Sequence, residues 1–169
     1  MKELTQEYLK EILYYDQTTG IFRWKKQLSY RGKVGEVAGC VNKLGYIVIR
    51  IDRKLYTAHR LAFLCMEDKL PNNHVDHIDL VKYNNAWNNL RHCTASQNLA
   101  NTTTSSLNIS GIKGLSYGRG FWRASITCNK IQYTKQRKSS FDCEDTKLQL
   151  ANWLVVKRKE LHKEFTNHG

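Results

Sequence analysis

Residues 74–98 read HVDHIDLVKYNNAWNNLRHCTASQN and hold three His, two Asp and five Asn. Asn forms neither helix nor strand readily, so this density raises the question of what the side chains do. Asp76 and His77 are neighbours, and at the end of a strand one can meet a metal while the other reaches a scissile group. Asn98, further along, could return an amide oxygen to the same metal. One carboxylate and one amide carbonyl, completed by water and phosphate oxygen, suit Mg²⁺ or Mn²⁺. Zn²⁺ would want more His or Cys. A neutral His beside such an ion could deprotonate a water while the metal holds the phosphate and the leaving oxygen. Its ring must be aimed through its other nitrogen, and an Asn carbonyl can accept that N–H without raising the pKa as a carboxylate would. The same residues also fit a loop of Asx-turns with His77 on the surface.

The elements that must position these groups follow from the local pattern. Residues 74–77 form a strand, 78–89 are too polar for core and form a loop, and 90–93 form a second strand. Thr94 is an N-cap for a helix through Asn101. Upstream, Thr5 caps a helix with Leu9, Ile12 and Leu13 on one face, "DQTTG" (16–20) ends it, and "IFRW" (21–24) is a strand. "YIVIRI" and "LYTAH", joined by "DRK", make a β-hairpin, and a short helix follows over 60–66. Residues 102–110 are polar and form a linker. Beyond it lie two or three strands with turns at 118–120 and 129–130. A helix over about 145–163 closes the chain, its apolar stripe Leu148, Ala151, Leu154, Val155 and Leu161.

Composition narrows the partner. The formal charge is +12, from 27 Lys+Arg against 15 Asp+Glu. Such a surplus signals a polyanion, and nucleic acid leads because the basic residues are not gathered on one amphipathic helix. Residues 111–169 carry a surplus of seven positive charges against five in the longer 1–110 segment. No apolar run reaches membrane-spanning length, and the N-terminus lacks the apolar core of a signal peptide. Five Cys without a C-x-x-C pair are expected as free thiols in a reducing cytosol.

The run HRLAFLCMEDKLPNNHVDHIDLVKYNNAWNNLRHCTASQNLAN (59–101) closely resembles HNH endonucleases of the phage homing type. Their pattern is H-R-L-A, D-H-I-D, N-N-x-x-x-N-L-R and Q-N-x-x-N, in that order. The likeness extends back to residue 4. It implies a ββα-metal fold, His77 as the general base, and Asn89 as the residue that orients His77 and braces the loop. Asp76 and Asn98 would hold one divalent ion per active site, Mg²⁺ or Mn²⁺, and Arg91 would touch phosphate. Asp79 is expected as a loop brace, and His59 as a tie between hairpin and core. The chain departs from the pattern at Leu80 and Val81, where many relatives have Gly and a polar residue, and at Ala86, often Arg.

Residues 110–165 resemble the DNA-binding domain of the plant ethylene-response-factor (Apetala-like) type, also found in phage homing endonucleases. That resemblance implies a three-stranded antiparallel sheet packed on one helix. Alternation places Trp122, Ala124, Ile126 and Cys128 toward the helix and Arg123, Ser125 and Thr127 outward. A sheet can lie in the major groove, and the expected DNA contacts are Arg119, Arg123, Lys130, Tyr133 and Arg137.

The fold class expected is therefore α+β. The domains are an HNH endonuclease over 1–101, a linker over 102–110 and a DNA-binding domain over 111–169. The expected function is site-specific hydrolysis of double-stranded DNA by a phage homing enzyme in the bacterial cytoplasm. It would act as a monomer, with no membrane and no small-molecule substrate. The alternative is a non-catalytic DNA-binding protein, such as a repressor or decayed relative.

Overall fold

The computed structural model describes residues 4–28 and 32–167. The chain is α+β and divides into two compact units, Met1–His92 and Cys93–Gly169.

In the first unit, helix α1 (Gln6–Ile12) starts where Thr5 accepts a hydrogen bond from the Tyr8 amide. It stops at Leu13, which turns to extended backbone and opens strand β1 (Leu13–Asp16). Strand β1 pairs antiparallel with β2 (Ile21–Trp24), Leu13 opposite Trp24 and Asp16 opposite Ile21. The sequence pattern ends the helix in turn residues and gives no sign of β1. Its four residues are too few to show a period, and pairing with β2 decides them. In the connecting turn, the Asp16 carboxylate accepts from the Thr18 and Thr19 amides. Gly20 closes that turn with a φ of +74°.

Strands β3 (Cys40–Val41), β4 (Ile47–Ile51) and β5 (Lys54–Thr57) form an antiparallel sheet in that order. Helix α2 (Ala58–Glu67) follows and buries Leu61, Ala62, Phe63 and Leu64. Together with Leu9, Ile12, Phe22, Ile49 and Ile51 these make the core of the unit. Each such large side chain contributes roughly 1.5–3 kcal/mol by leaving water. Strands β6 (His74–His77) and β7 (Leu90–Cys93) pair into a two-stranded sheet. Val75 and Leu90 anchor them to the core.

The second unit begins with helix α3 (Ala95–Ala100), closed at its start by a reciprocal capping box between Thr94 and Gln97. Residues 102–110, expected as a linker, lie within this unit, and Lys113 donates to the carbonyls of Ala100 and Thr102. Strands β8 (Leu115–Gly118), β9 (Phe121–Cys128) and β10 (Ile131–Lys138) form an antiparallel sheet with β9 central. Helix α4 (Glu144–His162) packs on it. Trp122, Ala124 and Ile126 meet Leu150 and Leu154, as the alternation of β9 foretold. The helix stripe needs one correction. Leu148 is exposed, and the buried face runs Leu150, Leu154, Arg158, His162 in steps of four. Its last two members are polar, which hides them from an apolar pattern.

Among the described residues no helix is long and apolar enough to cross a membrane.

Candidate active site

Strand β6 ends on two buried polar residues in succession, Asp76 and His77. Both are about 95% shielded from solvent, a costly arrangement unless each group is satisfied. For Asp76 the partner is Arg91 on the neighbouring strand, whose Nε and Nη2 each lie 2.8 Å from Oδ2.

Below His77 the loop of residues 78–89 is organised around Asp79. Its Oδ1 accepts from the Val81 amide (2.8 Å) and from Nδ2 of Asn89 (2.8 Å), and its Oδ2 accepts from Nδ2 of Asn84 (2.6 Å). Asn89 returns the bond, its Oδ1 accepting from the Asp79 amide at 3.0 Å, and Nδ2 also donates to the Asn84 carbonyl. The Asn89 carbonyl accepts from the Ile78 amide, next to His77. Asn89 is thus a cross-brace between the two ends of the loop.

The side chain that meets the His77 ring across a hydrogen bond is Asn85. Its Oδ1 lies 3.4 Å from Nε2, and its own Nδ2 donates to the Tyr83 carbonyl. That second bond fixes which way the amide points. An amide oxygen only accepts, so Nε2 carries the proton and the basic lone pair falls on Nδ1. Burial lowers the pKa of His77, while Asn85 and the carboxylates of Asp79 and Asp76 work in the other direction and Lys82 adds to the lowering. The net lowering favours the neutral ring that a general base requires.

The position of Asn85 is set from far away in the chain. Tyr15 on β1 donates to the Asn85 carbonyl at 2.7 Å, and the Trp87 amide donates to the Gln17 carbonyl at 2.8 Å. A Cβ on Gly20 would stand 2.2 Å from the Asn85 carbonyl carbon. The first hairpin is therefore the wall on which the loop leans. On the other side of His77 stand His59, edge-on at 5.2 Å between ring centres, and Tyr46 at 5.9 Å. His59 binds the Thr57 hydroxyl through Nε2 at 3.1 Å, and its buried Nδ1 has no hydrogen-bond partner among the described residues.

Asp76, His77, Asn89 and Arg91 are thus gathered in the first unit, and Asn98 lies on α3 of the second. The contact of Asn85 with His77 was missed in the sequence, as were Tyr15, Gly20 and Tyr46. A signal existed only for Gly20, as a glycine in a turn. Among the expected DNA contacts, Arg119 in the β8–β9 turn and Arg123 on β9 share one shallow pocket on the outer face with Gln136 and Ser116. Tyr133 and Arg137 stand opposite Ile126 and Trp122 and so take the helix-side face. There the Lys157 ammonium sits 5.3 Å over the Tyr133 ring. Lys130 lies in the β9–β10 turn with a φ of +67°.

Residues 56–100 match the HNH endonuclease family. The chain is also 35% identical over 94 residues to Protein 3.8 of Escherichia phage T7, covering 54% of this chain and 72% of that protein. The chain belongs to the HNH endonuclease family. No solved structure matches it. HNH nucleases generally use a divalent metal. Among the described residues no group of three or more His, Cys, Asp or Glu could hold one, so the donors do not make a zinc-type cage.

Proposed function

We propose that the protein is a site-specific, divalent-metal-dependent DNA endonuclease of the phage homing type, acting in the cytoplasm of a bacterial host. The observation that carries this reading is the buried His77, met at Nε2 by Asn85 and adjacent to Asp76. Nδ1 of His77 takes a proton from water, and the resulting hydroxide attacks phosphorus in line with the departing oxygen. Asp76 would hold the ion, with Asn98 assigned as second oxygen donor by the family pattern. When bound, that ion supplies Lewis-acid stabilisation of the charge that builds on the phosphate and the leaving oxygen. Mg²⁺ or Mn²⁺ fits these donors. Arg91 orients Asp76 and adds positive charge beside the phosphate.

In the second unit, the sheet-on-helix fold supports an ethylene-response-factor-type DNA-binding role, with Arg119 and Arg123 on the outer face as leading contacts. Backbone phosphates would then dominate affinity, and binding would fall steeply with salt.

The test is cleavage of phage and host DNA with and without Mg²⁺, beside His77→Ala. Metal-dependent cutting that disappears in the variant is the expected result. Tight binding with no cutting under any divalent ion would overturn the enzyme reading in favour of a DNA-binding protein.

A further inference from the structure

The buried face of α4 ends in Arg158 and His162, positions where a helix packed on a sheet ordinarily carries apolar side chains. Both line a cavity of about 700 Å³ in the second unit, as does Lys113, and no carboxylate is among the lining residues. Arg158 is 4% exposed and His162 7%. Among the described residues none of the three takes part in an ion pair. Arg158 gives one N–H to the Lys113 carbonyl, a small share of what a guanidinium can donate.

Three basic groups gathered without a counter-charge, with Lys130 as a fourth in the lining, are costly. The cost is visible in each. Burial and then Arg158 push Lys113 down to about 8. Burial lowers His162, and Lys113 and Arg158 add to it. Burial lowers Arg158 as well. The C-terminal end of the α4 dipole offsets only part of this. An anion would relieve all three at once, and an arginine fork is suited to a phosphate's paired oxygens. The cavity exceeds a bare phosphate and lies in the range of small-ligand pockets, roughly 300–1,000 Å³. Its remaining wall includes Leu99, Ala100 and Ile126.

We propose that this cavity is a binding site for a phosphate monoester of nucleotide size, its doubly charged phosphate held by Arg158, Lys113 and His162 and its body lying against Leu99, Ala100 and Ile126. The phosphate belongs either to a free mononucleotide or to the 5′ end of a DNA strand. The site does not rest on the nuclease reading, because it requires no divalent ion and uses neither His77 nor Asp76, although Leu99 and Ala100 of its wall neighbour Asn98 on α3.

The experiment is calorimetric titration of the full chain, in chelator, with thymidine 5′-monophosphate, thymidine, and a short oligonucleotide with or without a 5′-phosphate. The monophosphate should bind at least about tenfold more tightly than thymidine. Lys113→Met, which keeps the aliphatic stem, should weaken it roughly tenfold or more. Arg158→Gln should do the same. Should that variant fail to fold, the wild-type melting temperature is a second measure: it should rise with monophosphate and stay unchanged with thymidine. A preference for the phosphorylated oligonucleotide that Lys113→Met abolishes assigns the ligand to DNA ends. No such preference, with monophosphate still bound, assigns it to free nucleotide. Absence of monophosphate binding, equal binding of thymidine, or undiminished binding by Lys113→Met would overturn the proposal.

Discussion

The side-chain oxygen of Asn85 lies 3.4 Å from Nε2 of His77, and the Asn85 amide nitrogen is anchored on the Tyr83 carbonyl. This pair, rather than Asn89 with His77, makes the direct contact that selects the tautomer of the ring. Asn85→Ala should therefore lower the cleavage rate about 10- to 100-fold while leaving the fold intact. Asn89→Ala should cost stability as well, since it unties three bonds of the loop. Single-turnover cleavage beside a urea titration separates the two, and an unchanged rate in Asn85→Ala would remove Asn85 from the mechanism.

Leu80 stands in the left-handed region at a φ of +66°. A non-glycine residue is strained there by roughly 1 kcal/mol. Leu80→Gly should accordingly stabilise the protein by at most about 0.6 kcal/mol, net of the freedom glycine gains in the unfolded chain. A urea midpoint that moves clearly downward would contradict this.

Gly20 has no room for a side chain, since a Cβ there would meet the Asn85 carbonyl carbon at 2.2 Å, and its φ is +74°. Gly20→Ala must push back the loop that carries Asn85. We expect a loss of at least about 2 kcal/mol of stability, and of nuclease activity with it, read by thermal melting and cleavage. A variant that melts and cuts as the wild type does would show that the hairpin does not support the loop.

Acid should destabilise the first unit in part through His59. Burial, then the charges of His77 and Arg60, push this imidazole from 6.5 to about 3. The unfolded chain binds a proton near pH 6.5 that the folded chain refuses until far lower pH. Stability is therefore full above about pH 6.5 and falls as pH drops toward 3, by up to about 1.4 kcal/mol per unit from this group. His59→Gln should show a shallower slope in urea titrations at about pH 7, 6 and 5, and an identical slope would contradict the assignment.

On the outer face of the second unit, Arg119→Ala and Arg123→Ala should weaken DNA binding and flatten its salt dependence by about one unit of slope for each phosphate no longer gripped. Arg137→Ala, on the helix-side face, should change that slope least. The reverse order would place the DNA on the other side of the sheet.

Much of this was legible in residues close in sequence. Thr5 and Thr94 announced their helices because capping is a local bond, and β9 announced its buried face because alternation is a local period. The strand–loop–strand around "DHID" followed from a run over 78–89 too polar for core, with a short strand on either side. What stayed hidden was spatial. Asn84, Asn85, Asn88 and Asn89 are chemically identical, and only the folded loop decides which reaches His77 and which reaches Asp79. Tyr15 carried no mark of its bond to a carbonyl 70 residues away. Arg158 and His162 carried no mark of burial, since polarity is the usual guide to exposure and here it misleads.

The clasp of Tyr15 and Gly20 on the Asn85 backbone also bears on how such a nuclease can be inherited. The sequence box from Asp76 to Asn89 holds the side chains proposed to react but not the wall that shapes them. Transplanted alone into another scaffold it would carry its chemistry without its geometry. The heritable module is larger than the motif. On the proposed function, a box moved without the N-terminal hairpin would be a recognisable signature that does not cut.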